Sequence, residues 1–555
     1  MKRWCCLLVG VVMGLGLAAA PARAEIRFEE VAAEQTGVRE VLQAWYDEEM
    51  KRQGGPGKVS HGWWPWGLRA FDFDRDGDLD LLASHHGVPR SIILKSQWRE
   101  TGDLRFENAT ASLGVDHRDL PGADDRPWIW DIDGDGWLDI AGFSDESKPN
   151  SAFNRGGKKF LPTDSPLFPG VSHPREVIDL DGDGYLDLDG GKKGCWYYLP
   201  DKKRFRHDEQ PRHAMPDDFP AELLKQIEEQ SAAQNNRFFR LDFLTHDVVG
   251  YDTLGYAPRP IDLNADGVGD LVVHGSGGYG AVYLGRYLIR DAQGKLVDKS
   301  EQLGLPIAGA PILIDDLSGD GRTDVLIVGK EAGGVYVQGD DGKYVCQQNA
   351  LTEFLRRRGP YLLRAWRADF DNDGDADLVL SNPRLGREAV FENHGGGRFD
   401  EVLTPRGWDS NPIAIADFDQ DGRLDLAIGG GPGDDSKLRI TFYLNRSEAT
   451  GGFCTIQPRG EAPNPYAVGA VVEVFRGGDL DKPDARPLLI EKAHSDGTPL
   501  HAGLGDSETF DLRVTPPSID MRKAGAKKAG AIAVRALPAN RRVTVDLASG
   551  NVETK

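Results

Sequence analysis

The residues of this chain that could do chemistry are aspartates, and they recur in one nine-residue pattern. The first copy, residues 72–80, reads D-F-D-R-D-G-D-L-D, and the consensus of all copies is D-x-D-x-D-G-x-x-D. Six further copies begin at Asp131, Asp179, Asp262, Asp316, Asp369 and Asp417. We number the copies loop 1 to loop 7 in chain order, and the positions within each loop 1 to 9. Seven copies of one acidic pattern indicate a repeated site.

The spacing of the carboxylates is typical of a calcium site. Calcium prefers six to eight oxygen ligands at about 2.3–2.6 Å in a flexible cage. Carboxylates at positions 1, 3 and 5 converge when the chain curls around one point, and the Gly at position 6 permits the sharp turn. Position 7 can supply its backbone carbonyl, so its side chain is free to vary, and position 9 returns a last carboxylate. The loops therefore predict Ca²⁺ as the cofactor, with up to seven sites.

Each loop contributes five predicted metal ligands, at positions 1, 3, 5, 7 and 9. In loops 1 to 3 they are Asp72, Asp74, Asp76, Asp78, Asp80, Asp131, Asp133, Asp135, Trp137, Asp139, Asp179, Asp181, Asp183, Tyr185 and Asp187. In loops 4 to 7 they are Asp262, Asn264, Asp266, Val268, Asp270, Asp316, Ser318, Asp320, Arg322, Asp324, Asp369, Asp371, Asp373, Asp375, Asp377, Asp417, Asp419, Asp421, Arg423 and Asp425. We expect loop 5 to bind most weakly, because Ser318 removes a carboxylate and Gly319 adds slack. Loop 4, with Asn264, comes next.

Other calcium-binding repeats do not match this pattern. An EF-hand requires a bidentate Glu at position 12 and flanking helices, whereas position 12 is Ala83 in loop 1 and Gly142 in loop 2. Dockerin-type and thrombospondin-type repeats are spaced more tightly. Acidic hairpin turns without a metal are the remaining alternative, and the Gly at position 6 of every loop disfavours it.

The spacing of the loops predicts the fold. Successive loops start 59, 48, 83, 54, 53 and 48 residues apart, and about fifty residues is the length of one four-stranded propeller blade. Apolar, strand-like stretches flank the loops, such as residues 312–314 and 271–273. The predicted fold is therefore all-β: a seven-bladed β-propeller over residues 25–450 whose loops join the two innermost strands of each blade. Residues 26–31 are predicted to pair into the last blade, which would remove open sheet edges.

At loops 6 and 7 the chain resembles a known family. Residues 368–377 (A-D-F-D-N-D-G-D-A-D) and 416–425 (A-D-F-D-Q-D-G-R-L-D) are similar to FG-GAP/VCBS repeats, the type that builds the integrin α-subunit propeller. The resemblance covers residues 26–450. It implies calcium at the loops on the lower face of the propeller, with adhesion partners met on the upper face.

The long step between loops 3 and 4 predicts a helical insertion at about residues 211–236. Residues 217–233 read as one amphipathic helix, with Asp217 or Asp218 as its cap and Pro220 in its first turn. Its apolar positions form a single stripe, made of Leu223, Leu224 and Ile227. Packing on the propeller and docking of a partner are the two roles that such a stripe allows.

The repeat stops near residue 451, and the tail is β-rich. Residues 464–471 (N-P-Y-A-V-G-A-V) and 500–505 (L-H-A-G-L-G) are similar to the ASPIC/UnbV domain that follows such repeats in cartilage acidic protein and in bacterial exported proteins. That family usually continues with a Trp-Pro-Ser-Gly-like turn, whereas this chain reads T-P-P-S at 515–518. We predict a small ASPIC/UnbV-like β domain over residues 451–555.

Large and basic side chains are predicted at the upper mouth of the propeller channel. Most of them precede the strand that enters a loop, and His85 and His86 follow loop 1 by one strand. Trp and Arg bind sugars or acidic ligands by stacking and forked hydrogen bonds. Space filling between blades and pairing with acidic residues are the alternative roles. The candidate ligand-binding residues are Trp64, Trp66, His85, His86, Arg126, His173, Arg175, Arg259 and Arg364.

The N-terminus and the composition predict an exported protein. Lys2 and Arg3 precede an apolar run from about residue 4 to 20, and residues 22–24 read A-R-A, so residues 1–24 are predicted to be a cleaved signal peptide. An uncleaved anchor is the alternative. The net charge of -22 disfavours nucleic acid and anionic lipid as partners. Cys195, Cys346 and Cys454 fit no disulfide framework or zinc site, and we expect at most one disulfide.

Two function classes follow from these observations. The leading hypothesis is a secreted, periplasmic or cell-surface module, stiffened by calcium, that binds an extracellular protein or glycan. The alternative is a carbohydrate-active enzyme similar to a polysaccharide lyase, with His85, His86 or His173 as the base beside an Arg. The chain has no nucleophile motif or phosphate-binding loop, so no catalytic residue is predicted.

Overall fold

The computed structural model describes most of the chain. The described residues are 26–54, 65–85, 91–121, 127–143, 151–171, 174–210, 218–233, 240–244, 246–248, 256–277, 281–329, 331–358, 364–382, 387–405, 412–429, 440–448, 451–517 and 530–555. The predicted signal peptide, residues 1–24, lies outside them. Within the described part, no helix combines the length and apolar character that a membrane crossing requires.

Small antiparallel sheets make up the region that carries the loops. The first strand, β1 (Phe28–Glu30), belongs to sheet 7. Sheet 1 contains β2 (Pro65–Phe71), β3 (Asp80–His85), β4 (Ser91–Ser96) and β5 (Phe106–Asn108). Sheet 2 contains β6 (Trp128–Trp130), β7 (Asp139–Ala141), β8 (Ala152–Asn154) and β9 (Phe160–Pro162). Sheet 3 contains β10 (Glu176–Ile178), β11 (Asp187–Asp189), β12 (Cys195–Leu199) and β13 (Arg204–Asp208).

The next four sheets repeat this arrangement. Sheet 4 contains β14 (Arg240–Leu244), β17 (Leu271–Gly277), β18 (Ala281–Arg290) and β19 (Leu296–Asp298), and β15 (His246–Val248) pairs with β16 (Tyr256–Pro260) beside it. Sheet 5 contains β20 (Ala310–Asp315), β21 (Asp324–Val328), β22 (Gly334–Gln338) and β23 (Tyr344–Gln347). Sheet 6 contains β24 (Arg364–Ala368), β25 (Asp377–Asn382), β26 (Arg387–Asn393) and β27 (Phe399–Leu403). Sheet 7 contains β28 (Ile413–Ala416), β29 (Asp425–Gly429), β30 (Ile440–Asn445) and β1.

The inner strands are buried on both faces, which explains their continuous apolar sequences. All six residues of β3 are buried, and Leu81, Leu82 and Ala83 are 0% exposed. A strand exposed on one face would instead alternate apolar and polar residues. The fourth strand of a sheet is more exposed than the inner strands: β9 buries Phe160 and exposes Leu161 and Pro162. Each sheet therefore buries its inner part against neighbouring sheets.

The N-terminal strand joins the sheet that carries the last loop. β1 pairs antiparallel with β30, with Phe28 opposite Asn445 and Glu30 opposite Tyr443. This pairing was predicted from the sequence and is confirmed. The chain then forms α1 (Ala33–Thr36) and α2 (Val38–Arg52). Val38, Leu42 and Trp45 of α2 are buried in the core that sheets 1 and 7 share.

Sheet 4 departs from the predicted topology. We expected the strand that enters each loop to be the innermost strand of its sheet, and this is wrong for loop 4. β14, from the insertion, takes the place beside β17, while β16 pairs with β15. Pro258 and Pro260 lie in β16 and have no N–H to donate, which makes this strand a poor partner for β17.

The predicted helix of the insertion is present and packs on sheet 4. It is α4 (Ala221–Ala233), which begins four residues later than predicted. Phe219, Leu223 and Ile227 are buried against Leu271, Val273, Leu284 and Leu288. Packing, rather than an exposed docking stripe, is therefore the observed role. The other helices are α3 (Trp98–Thr101), α5 (Ser300–Leu303) and α6 (Ala350–Arg358).

Two further sheets follow residue 451. One contains β31 (Gly452–Arg459), β34 (Leu500–Gly505), β37 (Arg541–Asp546) and β38 (Val552–Thr554). The other contains β32 (Val471–Arg476), β33 (Leu489–Lys492), β35 (Thr509–Thr515) and β36 (Ile532–Pro538). Both bury their apolar side chains in one core of their own. We call residues 451–555 the C-terminal region. Cys195, Cys346 and Cys454 are all free thiols, the first and last of them buried.

Asparagines at the end of third strands tie neighbouring sheets together. The Nδ2 group of Asn445 donates to the carbonyl of Phe370 in loop 6 at 2.6 Å, and that of Asn154 donates to Phe73 in loop 1 at 2.8 Å. Asn393 makes the same contact with Leu317 in loop 5 at 3.2 Å. Each bond satisfies the carbonyl of position 2, which is otherwise a buried acceptor in the preceding loop.

We predict that Asn445→Ala destabilises the protein by about 2–3 kcal/mol. The Asn445 amide is fully buried and also donates to Leu424 and accepts from Ser447, so its loss leaves several buried groups unpaired. Urea unfolding at fixed calcium concentration measures the effect. The control is Asn551→Ala, because Asn551 is exposed. Equal stability of the two variants would contradict the role of the asparagine.

Candidate metal centre

Two left-handed residues give every loop its turn. The Gly at position 6 has a positive φ throughout, from 79° at Gly267 to 96° at Gly77. Position 4 also has a positive φ in every loop, from 55° at Gln420 to 86° at Gly182. Since residues with a Cβ rarely adopt this conformation, Arg75, Ala265, Asn372 and Gln420 are held there by the rest of the loop. The sequence analysis identified position 6 and missed position 4.

Backbone amides hold the carboxylates of positions 1 and 9. In loop 2 the two oxygens of Asp139 accept from Ile132 N–H at 2.9 Å and from Asn154 N–H at 2.6 Å. Asp131 accepts from the N–H groups of Asp135 at 3.1 Å and Gly136 at 2.7 Å. The contact from the third strand to position 9 recurs in all seven loops. Backbone hydrogen bonds therefore hold these carboxylates in place without a bound ion.

Three carboxylates converge in five of the loops. In each, the oxygens of positions 1, 3 and 9 lie within 4.8 Å of one another, and the groups are Asp72–Asp74–Asp80, Asp131–Asp133–Asp139, Asp179–Asp181–Asp187, Asp369–Asp371–Asp377 and Asp417–Asp419–Asp425. Loops 4 and 5 do not form such a group, because position 3 is Asn264 or Ser318. The position-5 carboxylates are not part of these groups. All seven accept from the N–H of position 7, as Asp135 does from Trp137 at 3.0 Å.

Unpartnered oxygens inside the groups test whether a cation fits. Asp72 Oδ1, Asp74 Oδ1, Asp133 Oδ1 and Asp419 Oδ1 are buried and accept no hydrogen bond. Leaving a buried carboxylate oxygen unpaired is costly, and a bound cation removes that cost. Carboxylate oxygens are hard donors of the kind that calcium prefers. Several of the loops could therefore hold a divalent cation.

Burial and mutual repulsion perturb the acidity of the loops. Burial, and then the charges of Asp76 and Asp74, raise the pKa of Asp72 to about 6. Burial raises the pKa of Asp131 and of Asp417 to about 7, with neighbouring carboxylates adding to the effect. The pKa values of Asp369 and Asp377 are raised well above their usual range by burial and then by neighbouring carboxylates. A divalent cation would reverse these shifts, since it favours the ionised form.

Basic side chains bind the carboxylates of positions 3 and 5 in three loops. Lys95 contacts both Asp74 and Asp76 in loop 1. Arg155 contacts Asp133 at 2.8 Å and Asp135 at 2.6 Å. Arg446 contacts Asp419 at 2.7 Å and Asp421 at 3.2 Å. We call Lys95, Arg155 and Arg446 the loop-bound cations. The sequence analysis missed them, although the dipeptide Asn-Arg, at 154–155 and 445–446, was a signal.

The C-terminal region lies against the loops. Tyr466 donates its hydroxyl to the Gly136 carbonyl of loop 2 at 3.1 Å, and Arg75 of loop 1 donates to the same hydroxyl. A Cβ on Gly422 of loop 7 would lie 2.1 Å from the Phe453 ring, and one on Gly184 of loop 3 would lie 3.3 Å from Pro463. One side of the loop-bearing sheets is thus covered by the same chain.

Loop 6 has the closest contact with the C-terminal region. The Asn372 amide donates to Gly422 O at 3.2 Å, so its Oδ1 is the acceptor of the 2.7 Å hydrogen bond with His501 Nε2. Burial lowers the pKa of His501 to about 4, which keeps the imidazole neutral. The Asn372 carbonyl accepts from Gly505 N–H at 2.9 Å. Loop 6 is therefore a joint between the two parts of the chain.

A cavity of about 1260 Å³ lies between the first strands of the sheets and the C-terminal region. Of the predicted ligand-binding residues, Arg175 and Arg364 line it together with Trp366. The sequence analysis missed the wall that the C-terminal region supplies, including Glu491, Lys492 and His494. Lys492 contacts Glu176 at 2.8 Å, and Ser495 donates to the Ile129 carbonyl at 2.9 Å.

The other predicted ligand-binding residues are not brought to this cavity. His85 ends β3, but its side chain is 0% exposed; the expectation that it emerges at a mouth is wrong, because the end of β3 is buried among the sheets. The backbones of Trp66 and Arg259 lie in β2 and β16, and their side chains are not described. Trp64, His86, Arg126 and His173 lie outside the described residues.

Comparisons with known proteins identify the repeats. Residues 131–188 and 369–428 match the FG-GAP-like repeat family, each match running from one Asp-rich loop to just past the next. The resemblance stated from the sequence is thereby confirmed for these segments. Residues 451–555 lie outside both matches, and their likeness to ASPIC/UnbV stays a prediction. No curated protein matches the chain significantly.

Solved structures give distant likenesses. A lectin of Agrocybe aegerita, which recognises non-reducing terminal N-acetylglucosamine, is 19% identical over 63% of this chain and 82% of its own, with a TM-score of 0.34. The virginiamycin B lyase of Staphylococcus aureus is 10% identical over 76% and 99%, with a TM-score of 0.32. A biofilm matrix protein of V. cholerae is 11% identical over 80% and 82%, with a TM-score of 0.23. None of these likenesses is close enough to indicate a function.

We predict that Gly503→Ala weakens the joint at loop 6. A Cβ there would lie 2.0 Å from Asp369 Oδ2 and 2.6 Å from the Asn372 backbone, so the two parts of the chain must separate. We expect a loss of about 2 kcal/mol in unfolding free energy and faster hydrogen exchange at the loop 6 amides. The control is Gly530→Ala, whose Cβ meets no atom within 4 Å. Unchanged exchange in loop 6 would contradict this contact.

We predict a pH-dependent contribution from the pair Glu491–His494, which lies 2.8 Å apart on the cavity wall. Burial alone would lower the pKa of His494, but Glu491 outweighs it and raises the pKa to about 9. The raised pKa means that the stabilisation is complete below the unfolded pKa, about 6.5, and is lost as the pH rises through 9. The pKa of Glu491 is lowered: burial alone would raise it, but the charge and hydrogen bond of His494 more than offset burial. The pair therefore also weakens in acid, when Glu491 takes up a proton.

The measurement is the unfolding free energy of wild type and His494→Gln from pH 6 to 10. We expect the difference between them to be largest near pH 6 and to close by about pH 10. The comparison between variants cancels the titration of the loop carboxylates, which both proteins share. A difference that does not change over this range would contradict the charged pair.

Proposed function

We propose that the chain is an exported, calcium-binding, seven-bladed β-propeller that acts as a protein- or glycan-binding module. The observation that carries the proposal is the repeated convergence of carboxylates at positions 1, 3 and 9, with buried oxygens that accept no hydrogen bond in the groups of loops 1, 2 and 7. The family match over loops 2, 3, 6 and 7 supports it. The predicted ligand set at positions 1, 3, 5, 7 and 9 of all seven loops belongs to this proposal.

Shared cores support the closed ring. Sheets 1, 2 and 3 share one core, sheets 4 and 5 another, and sheets 5 and 6, 6 and 7, and 7 and 1 share the others. The remaining neighbours, sheets 3 and 4, are separated in sequence by the insertion. Pairing of β1 with β30 supplies the closing strand. A chain of neighbours that returns from sheet 7 to sheet 1 is what a propeller requires.

Calcium would act mechanically in this proposal. Each loop joins two strands of a sheet, or β16 and β17 in the fourth, so an ion that fixes the loop also fixes the strands. The opposite ends of the first strands, near Arg175 and Arg364, then form a rigid surface beside the cavity. Aromatic and guanidinium groups there suit a glycan or an acidic protein surface. Exported location follows from the N-terminal sequence and stays part of the proposal.

The binding hypothesis is preferred to the lyase alternative on one observation. Of the three histidines considered as bases, His85 is buried, and a general base must reach its substrate. His86 and His173 lie outside the described residues. We therefore propose no catalytic residue.

We predict that calcium raises the melting temperature and that chelation with EGTA lowers it. Each site at 100-fold excess over its Kd contributes about 2.7 kcal/mol. Native mass spectrometry should show several bound calcium ions, and Asp371→Asn should bind one fewer. The matched control is Asp201→Asn, an exposed position outside the loops, which should keep the wild-type number. A wild-type protein that binds no calcium and melts identically in EGTA would refute the proposal.

A further inference from the structure

In three loops, one basic side chain from outside the loop contacts the carboxylates of both position 3 and position 5. Lys95, Arg155 and Arg446 come from the third strands of sheets 1, 2 and 7 or from the residue directly after them, and each touches the carboxylates of positions 3 and 5. Arg155 and Arg446 each follow an Asn whose N–H binds position 9. The strand register therefore places the guanidinium group beside the carboxylates of positions 3 and 5 in both loop 2 and loop 7.

The cations lie against carboxylates of the candidate metal groups. Position 3 belongs to the converging group of each loop, and Arg446 contacts one oxygen of Asp419 at 2.7 Å. The other oxygen of Asp419 is buried and accepts no hydrogen bond, and the residue is 7% exposed. In loop 2 the same division holds, with Arg155 on Asp133 Oδ2 and an unpartnered Asp133 Oδ1. One face of each carboxylate is thus neutralised while the other is open toward the group.

We propose that the loop-bound cations set the calcium affinity of loops 1, 2 and 7, because a guanidinium or ammonium group already neutralises carboxylates that an ion would use. This inference rests on the proposed function. Two cations on one carboxylate repel each other, and each weakens the attraction of the other. The cations also stabilise the loops without calcium, since they offset the repulsion among the carboxylates. Loops 1, 2 and 7 therefore bind calcium more weakly than they would without these side chains.

Removal of the cation should have two opposite effects: tighter calcium binding and a less stable calcium-free loop. In Arg155→Met and Arg446→Met the aliphatic part of the side chain is kept and the charge is lost. We expect the calcium Kd of one site to fall about tenfold in each variant, while the melting temperature in EGTA falls. In saturating calcium the melting temperatures of variant and wild type should converge. A merely structural role cannot tighten binding, so the opposite signs of the two readouts are diagnostic.

One control keeps the positive charge at the loop, and the other removes an arginine charge outside the loops. Arg155→Lys retains the cation and should keep an affinity close to that of the wild type. Arg206→Met makes the same substitution in β13, where Arg206 pairs with Asp208 at 3.9 Å, and it reports any long-range effect of net charge. Calorimetric titration with Ca²⁺ and melting in EGTA are run on the full-length chain.

Each outcome decides between the claims. Tighter binding in Arg155→Met and Arg446→Met, but not in Arg206→Met, supports the inference. Unchanged or weaker binding in both, with calcium still bound elsewhere, overturns it and leaves the proposed function standing. Absence of calcium binding in wild type and all variants overturns the proposed function itself.

Discussion

Five of the seven loop-bearing sheets depend on one electrostatic constraint: three carboxylates lie within 4.8 Å of one another in a partly buried turn. Carboxylates this close repel, and burial removes the water that would screen them. The surrounding structure offsets the cost with aligned backbone N–H groups, with two left-handed residues that aim those groups inward, and in three loops with a basic side chain. The position-9 carboxylate accepts a hydrogen bond from the third strand as well as from its own loop, so the sheet also holds it in place.

The same constraint shapes the contact with the C-terminal region. His501, Gly503 and Gly505 approach loop 6 closely, and its carboxylates are the most deeply buried of the seven loops. An interface built on a loop is rigid only if the loop is, so an ion at loop 6 would stiffen the joint between the two parts of the chain. Among the described contacts, hydrogen bonds join the C-terminal region to loops 1, 2 and 6.

Under the proposed function, partners would meet the end of the sheets opposite the loops, because the C-terminal region covers the loop side. The sequence resemblance implied partners on the face opposite the calcium loops, and the C-terminal region occupies the loop face itself. It also supplies part of the cavity wall, including Glu491, Lys492 and His494. Under the proposed function, a ligand would reach Arg175 and Arg364 from the opposite end. The acidity of the chain, with a net charge of -22, is concentrated in part in the loops, so bound calcium would change the surface as well as the fold.

Local features of the protein could be predicted from its sequence. The loops, the turn at Gly77 and its equivalents, the strands beside them and the helix at 221–233 could be predicted, because each depends on spacing or on periodicity within a few residues. The long-range return of β1 to the last sheet was predicted from the repeat architecture, which requires a closing strand. Tertiary structure decided what depends on residues far apart in the chain. Arg155 reaches Asp133 only through strand register, β14 from the insertion lies beside β17 through long-range strand pairing, and His501 meets Asn372 across 129 residues. Such contacts follow from packing, and no local pattern of residues encodes them.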